Sequence, residues 1–276
     1  MNADLHCHST ASDGLLPPVE VVERAHWRGV DMLALTDHDE TVGLAAARKR
    51  AEHLGLRFIN GVEISVSWKD DTVHIVGLNI DPANPALDAG LSRIRATRDG
   101  RAQRIAEALE AEGVPDALAG ALKYAGNPEL ISRAHFARYL AALGYARDVK
   151  SVFDHYLATG KPGFVPHAWA TLEEALAWIT GSGGVAVLAH PGRCRFKGAE
   201  MRDFLSRFRE AGGEGIEVLS GTHSPENTRE FADLAKAFGL LASRASDFHG
   251  PGESRIDLGG MPELPEGLTP VWQRFS

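Results

Sequence analysis

The chemistry of this chain begins in the stretch Asp4-Leu5-His6-Cys7-His8-Ser9-Thr10-Ala11-Ser12-Asp13-Gly14. A short apolar run ending in His-x-His puts two imidazoles on one face of a strand, because strand side chains alternate, and it turns Cys7 the other way into packing. Asp13 follows five residues after His8, across a Ser/Gly turn able to fold its carboxylate back toward the histidines. Two imidazoles and a carboxylate at one strand end suit a divalent metal.

Groups of the same kind recur beside other apolar runs. His38 follows Met32-Leu33-Ala34-Leu35-Thr36, and Glu63 lies in the run from Leu56 to Ile64. His190 follows Gly184–Ala189, while Asp247 and His249 follow Leu240–Ser246. His74 departs from the pattern, since it sits at the start of its run, Thr72–Ile80. An antiparallel strand or a deeper metal accounts for that placement. Six of the twelve histidines fall in this set of nine residues. All nine donors are nitrogen or oxygen, which suits Mn²⁺, Fe²⁺ or Zn²⁺ and makes a lone Mg²⁺ site a poor fit. Nine donors exceed one ion's needs, so two or three ions are expected, with Glu63 and Asp247 as bridges because each carboxylate has two oxygens.

The elements that position these residues follow from periodicity. Helices are expected from Pro18 to about Gly29, Thr41 to Leu54, Thr171 to Thr180, Ala199 to Ala211 and Pro225 to Phe238. They alternate with the apolar runs, which predicts an α/β fold of largely parallel strands whose carboxyl ends converge on one face. The rhythm lapses between residues 85 and 160, where Ala/Leu/Arg-rich helical segments are broken at Gly113-Val114-Pro115, Gly126-Asn127-Pro128 and Gly144. The expected division is therefore a barrel from 1–84 and 161–276, with a helical insertion or lid at 85–160. The proline-bearing C-terminal tail should wrap the barrel.

Composition bounds the function. The chain has 276 residues, 44% of them hydrophobic, with a net charge of −8, which argues against a broad nucleic-acid-binding surface. Residues 92–161 nevertheless hold eleven Lys and Arg against eight Asp and Glu, so the insert is net +3 and the remainder −11. A basic insert over an acidic, metal-holding body suits an anionic substrate. No membrane-spanning run, leader or disulfide framework is evident (the cysteines are Cys7 and Cys194), and a cytoplasmic location is expected.

Taken together, the motifs resemble the polymerase-and-histidinol-phosphatase (PHP) family of metal-dependent phosphoesterases. They are His6-x-His8 with Ser12-Asp13-Gly14, Leu35-Thr36-Asp37-His38, Gly61-Val62-Glu63, His74, Ala189-His190-Pro191 and Ser246-Asp247-x-His249. Ile131-Ser132-Arg133-Ala134-His135-Phe136-Ala137, Gly160-Lys161-Pro162 and Pro270-Val271-Trp272 further resemble the bacterial TrpH/YciV-like subgroup. The resemblance implies a distorted (β/α)7, TIM-like barrel with three metals. One would take His6, His8, Glu63 and Asp247; the second Glu63, His74 and His190; the third Asp13, His38 and His249. It implies hydrolysis of the 3′-phosphate of nucleoside 3′,5′-bisphosphates by a metal-bridging hydroxide, or 5′-to-3′ trimming of short RNA, with His8, Glu63 and Asp247 as catalytic groups and Mn²⁺ as the expected ion.

Beyond the nine, Arg133 and His135 at the start of a lid helix, Lys161 where the lid returns and Arg193 after the His190 run are candidate phosphate contacts. Their alternative is surface charge or interdomain pairing. Ser9 either contacts a phosphate or caps its turn. Arg98, Arg101 and Arg104, spaced by three, read as a solvated helix face, and Asp37 and Asp39 as residues that orient His38. The substrate is then a small nucleotide or a short RNA 5′ end, with no membrane or protein partner evident. An amidohydrolase with the same His-x-His opening, a non-catalytic polymerase-associated remnant and a histidinol phosphatase are the rival readings.

Overall fold

The computed structural model describes residues 1–275. Seven strands form one sheet in sequence order: β1 (Ala3–Asp4), β2 (Met32–Leu35), β3 (Arg57–Trp68), β4 (Asp71–Leu78), β5 (Val185–Leu188), β6 (Gly215–Ser220) and β7 (Leu241–Ala245). β1, β2 and β3 run parallel, as do β5, β6 and β7; β4 is antiparallel to both of its neighbours. Backbone bonds from Leu5 N to Arg244 O (3.1 Å), Asp247 N to His6 O (2.9 Å) and His8 N to Phe248 O (2.8 Å) join the first strand to the last. The sheet thereby curls into a nearly closed barrel, the α/β architecture expected from the sequence.

The strands are apolar on both faces because both are covered. Leu5, Met32, Ala34, Ile59, Val76, Leu78 and Val187 fill the interior, and Val271 and Phe275 of the C-terminal turn plug its floor. Outside pack α1 (Pro18–Trp27), α2 (Leu44–Leu54, ended by Gly55 at φ 68°) and α3 (Pro85–Arg95). α3 buries Leu87, Leu91 and Ile94 in the barrel's outer core. A separate apolar cluster, running from Ala102 to Val165, is built by α4 (Arg98–Ala111), α5 (Ala117–Leu122), α6 (Arg133–Ala142) and the short α7 (Val149–Val152). The barrel then resumes with α8 (Leu172–Gly181), α9 (Ala199–Glu210) and α10 (Pro225–Phe238). Capping boxes at Thr171/Glu174 and Ser224/Asn227 start α8 and α10 by satisfying free backbone donors. Among the described residues no helix is long and apolar enough to cross a membrane.

Candidate metal centre

The nine expected donors meet at one end of the barrel. His6 and His8 are fully buried with their Nε2 atoms 3.1 Å apart, and Cys7 between them faces away, its Sγ 3.3 Å from Ala34 O. His74 reaches the same place because β4 is reversed: its beginning lies where the parallel strands end, with His74 opposite Ser65 in register. Asp13 does fold back, placing Oδ1 3.9 Å from His8 Nδ1, 3.9 Å from His38 Nε2 and 3.5 Å from His249 Nε2.

Glu63 is the hub. Its Oε1 lies 2.9 Å from both His74 Nδ1 and His190 Nε2, while Oε2 lies 2.9 Å from His38 Nδ1, 3.2 Å from His6 Nε2 and 3.4 Å from His8 Nε2. Asp247 Oδ1 sits 3.2 Å from His8 Nε2 and 3.6 Å from His6 Nε2. Four overlapping groups have donor atoms within 4.8 Å of one another: His8/Asp13/His38/His249, His6/Glu63/His190, His6/His8/Asp247 and His38/Glu63/His74.

A metal-holding role passes a direct test. His8 Nδ1, Asp13 Oδ1, His38 Nδ1, Glu63 Oε2 and Asp247 Oδ1 are all buried without a hydrogen-bond partner. Each such atom costs about 1–3 kcal/mol, so five together rival the whole net stability of a typical domain, about 5–15 kcal/mol. Cations at the centre of the cluster remove that cost, since the orphaned atoms are of ligand type.

Charge supports this. Burial disfavours ionised Glu63, but His38, His74 and His6 overcome it and hold its pKa well below the ordinary range. Asp247 behaves likewise through Arg193 and His6, and Asp13 through His38 and His249, against the same burial. Burial, with the neighbouring His249 and His38, pulls His8 down to about 3; burial and Arg193 pull His190 down to about 4. Both rings are therefore neutral and offer lone pairs. His38, despite burial, is raised to about 9 by Glu63 and Asp13. Without a metal, its proton takes the cation's place.

Three non-glycine residues around the centre adopt left-handed backbone: Asp39 (φ 50°), His190 (φ 24°) and Asp247 (φ 54°). Such conformations are uncommon for residues with a Cβ and persist where surrounding contacts hold them. Gly14 is required for a different reason: a Cβ there would lie 2.5 Å from His8 O.

The supporting residues differ from expectation. Asp37 and Asp39 do not touch the His38 ring. Asp37 accepts from Ser9 N (2.7 Å), Ser9 Oγ (2.6 Å) and Ser12 Oγ (2.6 Å), bracing the turn that carries Asp13, while Asp39 accepts from Ser65 N (2.8 Å) and pairs with Arg98. Ser9 is fully buried with its hydroxyl committed to Asp37, so it serves the turn rather than a substrate. Arg98 and Arg101 are not a solvated face but are 5% and 7% exposed, because α4 packs that side against Trp169; Arg104 alone of the three is exposed.

Of the other candidate contacts, Arg193 reaches the centre, donating to Asp247 Oδ2 from a half-exposed position. His135 is fully buried; its Nδ1 accepts from Ser132 N at 3.0 Å in the α6 capping box, and Nε2 has no partner. Arg133 donates to Leu157 O at 3.3 Å, and Lys161 is exposed. Residues not singled out from the sequence also matter. Glu217 Oε1 lies 2.6 Å from His6 Nδ1 and Oε2 accepts from His190 N at 2.7 Å. Ser132 Oγ donates to Asp13 Oδ2 at 3.0 Å, and Arg138 donates to Asp13 O at 2.6 Å and to both oxygens of Glu253, tying α6 to the site. The signal for Glu217 was present as a lone acid inside an apolar strand.

Comparison with known proteins agrees with this geometry. The chain is 51% identical over 275 residues, covering 100% of itself and 96% of the relative, to a 3′,5′-nucleoside bisphosphate phosphatase of Chromobacterium violaceum. It is 44% identical, over 99% of itself and 93% of the relative, to the 5′-3′ exoribonuclease Rnm of Escherichia coli. A solved structure of an amidohydrolase from Chromobacterium violaceum with bound sulfate and no metal superposes with a TM-score of 0.97 at 51% identity, covering 99% of this chain and 95% of that one. The PHP domain model matches residues 4–219, a span that takes in seven of the nine clustered residues. With the barrel, its reversed fourth strand and the His/Asp/Glu cluster in place, the chain belongs to the PHP domain family.

Proposed function

We propose that this protein is a metal-dependent phosphoesterase that removes the 3′-phosphate of nucleoside 3′,5′-bisphosphates, leaving the 5′-nucleotide. The observation that carries the reading is the cluster of nine donors with five unpartnered buried atoms, in a chain half identical along its length to a phosphatase of that specificity.

His6, His8 and Asp247 would hold one ion, Glu63 with His74 and His190 a second, and Asp13, His38 and His249 a third, with Glu63 shared between sites. The donor set favours Mn²⁺, with Fe²⁺ and Zn²⁺ as fitting substitutes. Bound ions supply positive charge for the phosphate oxygens and acidify water. The chain's own groups do the rest. Glu63 and Asp247 stay ionised. Asp247 Oδ1, unpartnered and 3.2 Å from neutral His8, takes the proton of the attacking water and returns it to the leaving 3′-oxygen. Arg193, on the rim, turns its free donors to the phosphate. Arg133, His135 and Lys161 of the insert complete the pocket's basic side. Glu217 holds His6 and His190 in place. The two free, buried cysteines suit a reducing cytoplasm.

A second reading, 5′-to-3′ exoribonuclease on short 5′-phosphorylated RNA, is favoured by the 44% identical relative. Both reactions break the same kind of bond, between the 3′-oxygen and phosphorus. Amide hydrolysis has less support, since the carboxylate of Glu63 holds the hub position and an arginine lies on the rim. The test is turnover by Mn-loaded protein on adenosine 3′,5′-bisphosphate beside a 5′-phosphorylated RNA trinucleotide. AMP and free phosphate from the first support the main reading, and sequential mononucleotides support the second. Turnover of neither, or of histidinol phosphate alone, overturns both.

A further inference from the structure

Where the insert meets the barrel, cations gather with too few anions. Arg98 is answered by Asp39 and lies 3.5 Å from Ser65 Oγ. Arg101 is not answered. It is 7% exposed, its Nε donates only to Val165 O at 3.4 Å, and among the described residues no carboxylate lies within ion-pairing distance of its guanidinium. Arg133 is in a similar state: it donates to one backbone carbonyl and stacks 5.7 Å from the Phe153 ring centroid, also without a carboxylate. Burial and the neighbouring Arg133, Arg98 and Arg104 pull the pKa of Arg101 down to about 9, so it remains charged at neutral pH among like charges.

The surroundings keep this charge in place. Trp169 forms a wall, with the Arg98 and Arg101 guanidinium carbons 4.9 and 5.3 Å from its ring centroid and the His167 ring 4.2 Å away. Three ties bring the group to the metal-holding end of the barrel. Asp39, the partner of Arg98, directly follows His38. Trp169 Nε1 donates to Thr72 Oγ1 at 3.3 Å, two residues before His74 on the same face of β4. Arg133 follows Ser132, whose hydroxyl is on Asp13. A buried guanidinium without a counter-ion is costly, and its planar fork matches phosphate oxygens. The anion that compensates it must come from outside the chain.

We propose that Arg101, with Arg133 beside it and Trp169 and His167 as its wall, forms a second phosphate subsite that holds the 5′-phosphate of the substrate, the one not hydrolysed. This rests on the nucleotide reading above. A 3′,5′-bisphosphate and a 5′-phosphorylated RNA both carry that group, and in both, water adds across the bond between the 3′-oxygen and phosphorus while the 5′-phosphate is left intact. One subsite therefore reads both substrates.

The test is the ratio of kcat/KM for adenosine 3′,5′-bisphosphate over adenosine 3′-phosphate, in Mn-loaded wild type, Arg101→Ala and Arg101→Lys. Wild type should prefer the bisphosphate, and R101A should lower that preference roughly tenfold or more through KM, since a charge-assisted hydrogen-bond pair is lost. R101K should recover part of it, having charge but no fork. An unchanged ratio in R101A, or equal loss on both substrates in both variants, overturns the subsite. Calorimetry of AMP against adenosine runs in parallel. Tighter AMP binding that R101A abolishes supports the subsite even if neither substrate turns over, in which case only the phosphatase reading falls. Equal binding of AMP and adenosine by wild type overturns the subsite.

Discussion

Glu217 Oε1 lies 2.6 Å from Nδ1 of His6 and so fixes which ring nitrogen faces the metal centre. With Nδ1–H donated to that carboxylate, Nε2 is left pointing at Glu63 and Asp247. The other oxygen of Glu217 holds the backbone N–H of His190. One side chain thus orients two candidate ligands. Glu217→Gln should lower metal affinity roughly 10–100-fold while keeping the fold. A metal titration followed by calorimetry checks this, and unchanged affinity would show that His6 is held by its other neighbours.

Asp247→Ala and His8→Ala each remove a donor whose partner in the folded chain is incomplete. Turnover of the Mn-loaded variants should fall more than about 100-fold, beyond the range for a merely supporting group. The metal-free thermal midpoints should stay close to wild type, because an orphaned buried group contributes little to stability. Wild-type turnover at saturating metal would exclude both residues from the reaction.

Metal binding should release protons. His38, raised to about 9 against its burial by Glu63 and Asp13, must lose its proton to become a ligand. Between pH 6.5 and about 9 apparent metal affinity should therefore rise by about tenfold per pH unit for each proton displaced. The metal-free protein should show the opposite trend. A group whose folded pKa is raised stabilises fully below its unfolded pKa and loses that contribution as pH rises through the folded value. Chelated protein should thus become less stable from pH 6.5 to about 9, and Mn-loaded protein more so relative to it at the upper end. Thermal melts with and without chelator across this window check both signs.

Gly14→Ala tests the turn that returns Asp13 to the histidines. The added Cβ would approach His8 O to 2.5 Å, backbone that cannot swing aside as a flexible side chain would. A cost of about 1–3 kcal/mol is expected, together with weaker metal binding, because His8 and Asp13 flank the displaced segment. Melts and metal titration of one preparation would separate the two effects. A variant as stable and as tightly metal-binding as wild type would show that the turn tolerates the shift.

Arg138 joins the insert to the barrel through Glu253 and Asp13 O. Arg138→Ala leaves Glu253 without its partner, and since that carboxylate is one-fifth exposed, a loss near the lower end for buried pairs, about 3 kcal/mol, is expected. Denaturant titration measures it. A loss below about 1 kcal/mol would mean that the apolar contacts of α6 alone dock the insert.

The nine clustered residues were legible as types and spacings, because a strand's end and its alternation are local properties. The helices and apolar runs were legible for the same reason, and α10 begins and ends where its proline and phenylalanine indicate. His74 was not placed from its position in its own run, since strand direction is settled by which neighbours pair with β4. Arg101 misled, because its i, i+3 spacing from Arg98 and Arg104 describes a helix face but not what packs on that face. Ser9 and Asp37 are distant in sequence and meet only when the barrel closes. Donor chemistry and local periodicity, which depend on side-chain type and near-neighbour geometry, were determined by the sequence itself. The tertiary structure alone decided which donors share an oxygen of Glu63, that Glu217 stands behind His6, and which arginines are buried without a carboxylate, because these depend on burial and on contacts between residues far apart in the chain.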